Sequence, residues 1–454
     1  MMATQVKTTE KSWQALTPDE KMERRFAAWL AASGIKFASP EAEQAYKARV
    51  KRITDTVRLK KTPDRVPLIC PTAGLGGFAA AYCGYTHKDV MFDVDKTVEV
   101  INRCTLELQL DTTVLLGAQL GKVNEILDDK THKWPGHGLP DDADGIQYLE
   151  DEYMKEDEYD AFFEDQTDYR LRTFLPRIWG AAAPLAKLMP MAQGNIASFV
   201  PFAQPEVKTA LEKLAQAGQL TVAWQQKTGA ANRRLTELGF PSLLGASAGV
   251  PFAQFGDSLR GTRGIMADML KQPEKLLEAM ERLVPIIVKR CVSAAKLGDS
   301  PIVDFHLHKG ADRFMSDKQF RTFYWGPVRK VIIGLIEQGL ALNMRFEGPF
   351  NSRLEVMRDL PKGKTLWLLG WETDIAQAKE IIGDVACISG NIPAALLYTG
   401  TPEEIAAYCR HLIKVAGKGG CYIFSMPLEG VNRNTKAENV RAMIKCVKEY
   451  GVYS

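Results

Sequence analysis

The sequence predicts an α/β protein built as a closed (β/α)8 barrel, with an N-terminal helical extension and an acidic insertion. Three observations lead there. Apolar runs recur at 301–308, 340–346, 365–370, 385–389 and 421–425, and helical patterns separate them at 317–338, 374–382, 401–416 and 436–449. Strands that alternate with helices form parallel sheets through crossover connections. About three further strands upstream, from the candidate runs 66–70, 112–116, 196–202 and 242–248, bring the strand count to eight, and no Gly-x-Gly-x-x-Gly fingerprint favours an open dinucleotide-binding sheet instead.

Taken in order, residues 1–60 read as a helical arm. Thr17-Pro18-Asp19-Glu20 is a capping box with proline at the first helical position, and Gly34 offers a stop. Ser39-Pro40 starts a second helix that runs polar and basic to Lys60-Lys61, and Pro63 and Pro67 mark the boundary with the barrel, residues 61–454. Val66–Cys70 reads as the first strand and Thr112–Leu116 as the second. Residues 125–180 break the rhythm: Trp134-Pro135-Gly136-His137-Gly138-Leu139-Pro140 is turn chemistry, and 141–168 holds thirteen acidic residues against one lysine, Lys155. This segment is expected to be an insertion over one face of the core, with its charge solvated or offered to a basic partner. Ile196–Phe202 and Ser242–Ala248 are expected as strands, joined by a helix from Pro205 to about Leu238.

Composition excludes several classes of function. The 454 residues are 46% hydrophobic and 25% charged, which is globular usage with ample chain for a large core. A net charge of +3 is too balanced for nucleic acid to be the main partner. No run of eighteen apolar residues spans a membrane, and Met1-Met2-Ala3-Thr4-Gln5-Val6-Lys7 lacks an apolar signal core, so the cytoplasm is expected. The eight cysteines form no Cys-x-x-Cys pair and read as reduced, buried small hydrophobes.

Chemistry in a barrel gathers where strands end and the following loops begin. The run Asp304-Phe305-His306-Leu307-His308 alternates so that Asp304, His306 and His308 share a face. Two imidazoles and a carboxylate can hold a divalent metal or supply a general base. Asp312 follows in the loop. The next strand ends Asn343-Met344-Arg345-Phe346-Glu347-Gly348, with Arg345 and Glu347 on one face, then Asn351 and Arg353, whose guanidinium suits a carboxylate. Trp371, Glu372 and Asp374, then Asn391, and finally Glu429 stand at the later strand ends.

Three stretches carry a resemblance: Phe314-Met315-Ser316 through Gln319-Phe320 and Phe323-Tyr324; Gly390-Asn391-Ile392-Pro393 through Gly400-Thr401-Pro402-Glu403-Glu404; and Asn439 with Ala442-Met443. Over about residues 60–454 the chain resembles the uroporphyrinogen decarboxylase superfamily, which includes the haem-pathway decarboxylase and corrinoid-dependent methyltransferases. That resemblance implies a (β/α)8 barrel. The decarboxylase carries Met-Arg-Gln-Ala-Gly-Arg after its first strand, whereas this chain reads Pro71-Thr72-Ala73-Gly74-Leu75-Gly76-Gly77, without arginine, which argues against uroporphyrinogen as substrate. Thiol-directed methyltransferases carry His-x-Cys-Gly where Arg345-Phe346-Glu347-Gly348 stands, and a later zinc cysteine near Glu429.

The resemblance therefore implies a methyltransferase component that moves a methyl group from a small donor, such as a methoxylated one, to the cobalt of a corrinoid (cobalamin) on a separate protein. His306, Glu347 and Asp312 are the expected catalytic residues; Arg345, Asn351, Arg353, Asp374 and Asn391 would position the substrate. A zinc ion would be held by His306, His308, Glu347 and Glu429. The alternatives are a decarboxylase of a small carboxylic acid and a non-catalytic corrinoid or tetrapyrrole binder. The helical arm is expected to pack on a second copy in a homo-oligomer.

Overall fold

The computed structural model describes residues 11–71, 74–117, 120–190 and 196–453. Ten strands are present among them: β1 Leu68–Ile69, β2 His132–Pro135, β3 Gly138–Leu139, β4 Gln147–Tyr148, β5 Ala246–Ala248, β6 Ile302–Leu307, β7 Ala341–Phe346, β8 Thr365–Leu369, β9 Cys387–Ser389 and β10 Tyr422–Ser425. Seven of them form one curled parallel sheet in the order β1-β10-β9-β8-β7-β6-β5, and β3-β2-β4 form a small separate sheet. The helices expected between the later strands are found at Gly326–Glu337, Ile375–Ile382, Pro402–Ala416 and Ala437–Tyr450.

The expected closed ring of eight strands is not formed. Segment 111–114, expected as the second strand, lies between the two sheet margins without a ladder. The Asp111 amide donates to the Leu68 carbonyl at 2.8 Å, and the Thr113 amide donates to the Pro241 carbonyl at 3.0 Å. The Asp111 side chain explains the difference. Its carboxylate takes the Leu68 amide at 2.7 Å, a proton that a neighbouring strand's carbonyl would otherwise accept. The same carboxylate, fully buried, is paired with Arg52 at 2.7 Å and Arg65 at 2.8 Å. A side chain thus replaces the ladder at this margin.

A second expectation also fails. Ile196–Ala203 is a 3-10 helix rather than a strand. Pro201 has no amide proton to give a ladder, no sheet edge is paired with the segment, and Ile196 is 90% exposed. The long helix after it runs Pro205–Glu237, close to expectation.

The two arm helices, Pro18–Ala31 and Pro40–Val57, begin at Thr17 and Ser39, whose side chains accept backbone amides. Their buried faces, which include Met22, Phe26, Trp29, Tyr46, Val50 and Ile53, cluster with Ile69, Ile302, Ala341, Leu366, Cys387 and Ile423. These latter residues line the lower end of the sheet's concave side. The arm's apolar face is therefore covered by this chain's own strands. Val303, Phe305, Leu307, Met344 and Phe346 point the other way, into the larger core beneath the helices. This alternation leaves Asp304, His306, Asn343 and Arg345 on the concave side, and the register sets Asp304 beside Asn343 and His306 beside Arg345.

The acidic insertion is tied down by ion pairs. Glu158 pairs with Arg177, Asp160 with Lys275, and Glu150 with Lys309. All eight cysteines are free; seven are buried and Cys83 is half-buried. No helix among the described residues is long and apolar enough to cross a membrane.

Candidate active site

At the upper ends of β6 and β7 the parallel register brings His306, His308 and Glu347 together. Their ligand atoms all lie within 4.8 Å of one another. The two imidazoles stack with ring centres 4.7 Å apart. His306 Nε2 contacts Glu347 Oε1, and His308 Nδ1 stands 3.5 Å from Glu347 Oε2. All three side chains are a third or more exposed, so the cluster opens to a substrate.

The cluster belongs to a chain of alternating charge. Arg345 Nη2 lies 3.0 Å from Asp304 Oδ2 and donates to His306 Nδ1 at 3.1 Å. Asn343 donates to Asp304 Oδ1 at 3.0 Å. On the far side, His308 Nε2 lies 3.0 Å from Asp257 Oδ2. Lys309 Nζ then reaches Asp257 Oδ1 at 3.3 Å and Glu150 Oε2 at 2.7 Å. Aspartate, arginine, histidine, glutamate, histidine, aspartate, lysine and glutamate follow in sequence, so each charge in this partly dry site faces an opposite one.

This chain assigns protons. An arginine can only donate, so His306 Nδ1 is an acceptor and Nε2 carries the proton that meets Glu347. His308 presents both nitrogens to carboxylates and is an imidazolium. Burial works against its charge, but the hydrogen bonds to Asp257 and Glu347 outweigh burial and raise its pKa to about 9. Burial likewise opposes ionisation of Glu347, and the two histidines overcome it and hold the carboxyl well below its usual range.

Asp257 escapes the strand-end reading of the sequence. It sits on the π-helical turn Gln254–Leu259, just beyond β5. The available signal was positional: an acid in the loop after a barrel strand. The Tyr148 hydroxyl on β4 donates to the Asp257 carbonyl, so the insertion also helps hold this turn.

The remaining expected site residues do not join the cluster. Asp312 accepts from the Ser352 hydroxyl at 2.8 Å and amide at 3.2 Å, bracing two loops. Arg353 is 2% exposed, lies over the Phe320 ring at 4.6 Å, pairs with Asp317 at 3.1 Å and donates to the Asp312 carbonyl, so its guanidinium is committed to the fold. Asn351 accepts the Asp374 amide at 2.8 Å, and Asp374 caps the helix Ile375–Ile382. Asn391, 6% exposed, donates to the carbonyls of Gly370 and Thr373 at 3.1 and 2.7 Å. Glu429 lies at the opposite side of the opening. It borders a cavity of about 420 Å3 with Gly76, Gly77 and Tyr398, and burial together with the charges of Glu347 and Glu372 raises its pKa. Thr72 and Ala73, within the stretch that replaces the arginine-bearing loop, lie outside the described residues, as does the N-terminal segment 1–10.

Fold and site together define a barrel-type α/β protein with an ionisable cluster at the carboxyl ends of its strands. The family model for uroporphyrinogen decarboxylase (URO-D) matches residues 190–450, more than half of the chain, and the protein belongs to that family. Among curated relatives, the uroporphyrinogen decarboxylase of Methylococcus capsulatus is 27% identical over 195 residues, covering 43% of this chain and 54% of that protein. That of Coxiella burnetii is 23% identical over 265 residues, covering 55% and 65%. The chain thus spans between about half and just under two thirds of the length of these relatives. Among solved structures, a methyltransferase from Methanosarcina mazei superposes with a TM-score of 0.57 at 14% identity, covering 89% of this chain and 98% of that one, a likeness of fold.

Proposed function

We propose that the protein is a methyltransferase component that passes a methyl group from a small oxygen-linked donor to the cobalt of a corrinoid carried by a separate protein docked over the barrel opening. The observation that carries this reading is the convergence of His306, His308 and Glu347 at the exposed end of the sheet. Two nitrogens and a carboxylate oxygen suit a divalent cation such as zinc, and a set of nitrogen and oxygen ligands suits an oxygen leaving group better than thiolates do. The surrounding residues fit that role. Asp257 backs His308 as a carboxylate commonly backs a metal-bound imidazole. His306 must transfer its proton from Nε2 to Nδ1 to become a ligand, and Arg345 then keeps Asp304, already 3.0 Å away, as its partner.

When bound, the cation would supply Lewis-acid stabilisation of the charge developing on the donor's oxygen. The protein's own residues do the rest. Glu347 contributes the negative charge that holds the two imidazoles in one place. Asp257 fixes the orientation of the His308 ring, and Asp304 holds Arg345 beside His306, so little reorganisation is left for the reaction. Glu429, kept closer to its neutral form across the opening, adds no second full charge near the donor.

A second reading rests on the protonated His308. Without a cation, its imidazolium, stacked on His306, could protonate a carbanion left by loss of carbon dioxide, making the protein a decarboxylase of a small acid. Incubating the zinc-loaded protein with cob(I)alamin and methoxylated aromatic donors separates the two. Methyl transfer predicts donor-dependent formation of methylcobalamin in the visible spectrum. Carbon dioxide release from small acids, without corrinoid and without zinc, supports the second reading and contradicts the first.

A further inference from the structure

A cavity of about 560 Å3 lies between β5, the helix Pro273–Ala294 and the π-helical turn Arg170–Phe174. Its size is that of a small-molecule site. Arg170 and Arg290 both line it, and no acidic residue does. Neither guanidinium makes an ion pair or hydrogen bond with a described residue; Arg170 lies over the Phe174 ring at 5.8 Å. The two are close enough to repel, since burial and then the charge of Arg290 lower the Arg170 pKa.

Arg170 is half-buried and Arg290 reaches the cavity from an exposed helix position. The fully buried arginines elsewhere have carboxylates: Arg52 has Asp111, Arg260 has Asp268 and Arg353 has Asp317. Acids are abundant immediately before Arg170, yet the adjacent Asp168 turns to Arg172 instead. Two cations facing one cavity without a counter-ion are destabilising, and an anion between them would relieve that. Gln254 and Ser258 add neutral hydrogen-bonding groups, while Phe174, Ile178, Leu283 and Ile287 form an apolar wall. Gln254 and Ser258 stand on the same turn as Asp257, which meets His308, so the cavity and the cluster lie against one turn.

We infer that this cavity is a second binding site, for a small organic anion whose carboxylate or phosphate sits between Arg170 and Arg290 and whose apolar body rests on Phe174 and Ile287. Calorimetric titration of the intact protein with benzoate, phenyl phosphate, inorganic phosphate and neutral benzyl alcohol tests it. At least one aromatic anion binds with one molecule per chain, about tenfold or more tighter than benzyl alcohol. Arg290→Met, at an exposed helix position, weakens that binding about tenfold, and Arg290→Lys recovers part of it. Glu347→Gln leaves it unchanged, which separates this site from the cluster. The inference is overturned if no anion binds, if benzyl alcohol or inorganic phosphate binds as tightly as the aromatic anions, if Arg290→Met has no effect, or if Glu347→Gln abolishes binding. Benzoate against phenyl phosphate then tells which anionic group the site prefers.

Discussion

Replacing Glu347 by glutamine is expected to lower turnover by on the order of 10³-fold while leaving the fold intact. The side chain is 43% exposed and supports no core packing, so the loss falls on the chemistry. Glu347 is the one carboxylate that both imidazoles share. Its neutral amide cannot hold His308 as an imidazolium, and histidine NMR should show the His308 pKa falling from about 9 toward its ordinary value. A stability signature follows from the same shift. The folded pKa is raised, so His308 contributes its full stabilisation below about pH 6.5 and loses it as pH rises through about 9. At a site this open, screening limits the effect to about 1 kcal/mol. Urea denaturation at several pH values should show that decline in the unsubstituted protein and a flatter profile in Glu347→Gln.

The second large effect is on stability. Asp268→Ala should cost about 3–5 kcal/mol, read as a lower urea midpoint. Asp268 is fully buried, accepts from Arg260 Nε at 2.5 Å and Nη2 at 3.1 Å, and takes the Tyr159 hydroxyl at 2.8 Å. Removing it strands a guanidinium that is 1% exposed. Arg260 directly follows the turn that carries Asp257 and donates to the Met154 carbonyl, joining the insertion to that turn. The His308 titration should therefore also shift in Asp268→Ala, although Asp268 lies outside the cluster. Asp268→Asn, which keeps the shape but not the charge, should fall between.

The strand ends were legible in the sequence because alternation alone decides which side chains share a face. Asp304, His306 and His308 on one strand, and Arg345 and Glu347 on the next, follow from that rule. What alternation does not determine is the register between strands. His306 meets Arg345 because those two residues pair across β6 and β7, and this pairing settles which imidazole nitrogen holds the proton. Asp257 is set apart for another reason: it comes from a π-helical turn some fifty residues earlier in the chain, and only its place after a strand points to it. Arg353, Asn351 and Asn391 have the chemistry of binding residues, but loops at strand ends also leave backbone carbonyls and amides that need partners, and these side chains supply them. The missing eighth strand has a similar origin. An apolar run predicts a strand, but the aspartate that opens it satisfies its neighbour's amide with a side chain.

The acidic insertion shows how charge can be read too simply. Its carboxylates are not merely solvated. Glu150 completes the charge chain through Lys309, Asp160 ties the segment to Lys275 of the helix Pro273–Ala294, and Glu158 braces it internally through Arg177.

On the proposed reading, two imidazoles and a carboxylate take the place of a thiolate metal site at this barrel's opening. Zinc-edge X-ray absorption, on protein dialysed against limiting zinc at pH 8, tests it most directly. One zinc per chain is expected, with nitrogen and oxygen neighbours at about 2.0–2.2 Å and no sulfur, lost in Glu347→Gln and weakened as pH falls because His308 must give up its proton. Failure to retain zinc, or a sulfur shell at about 2.3 Å, would contradict it.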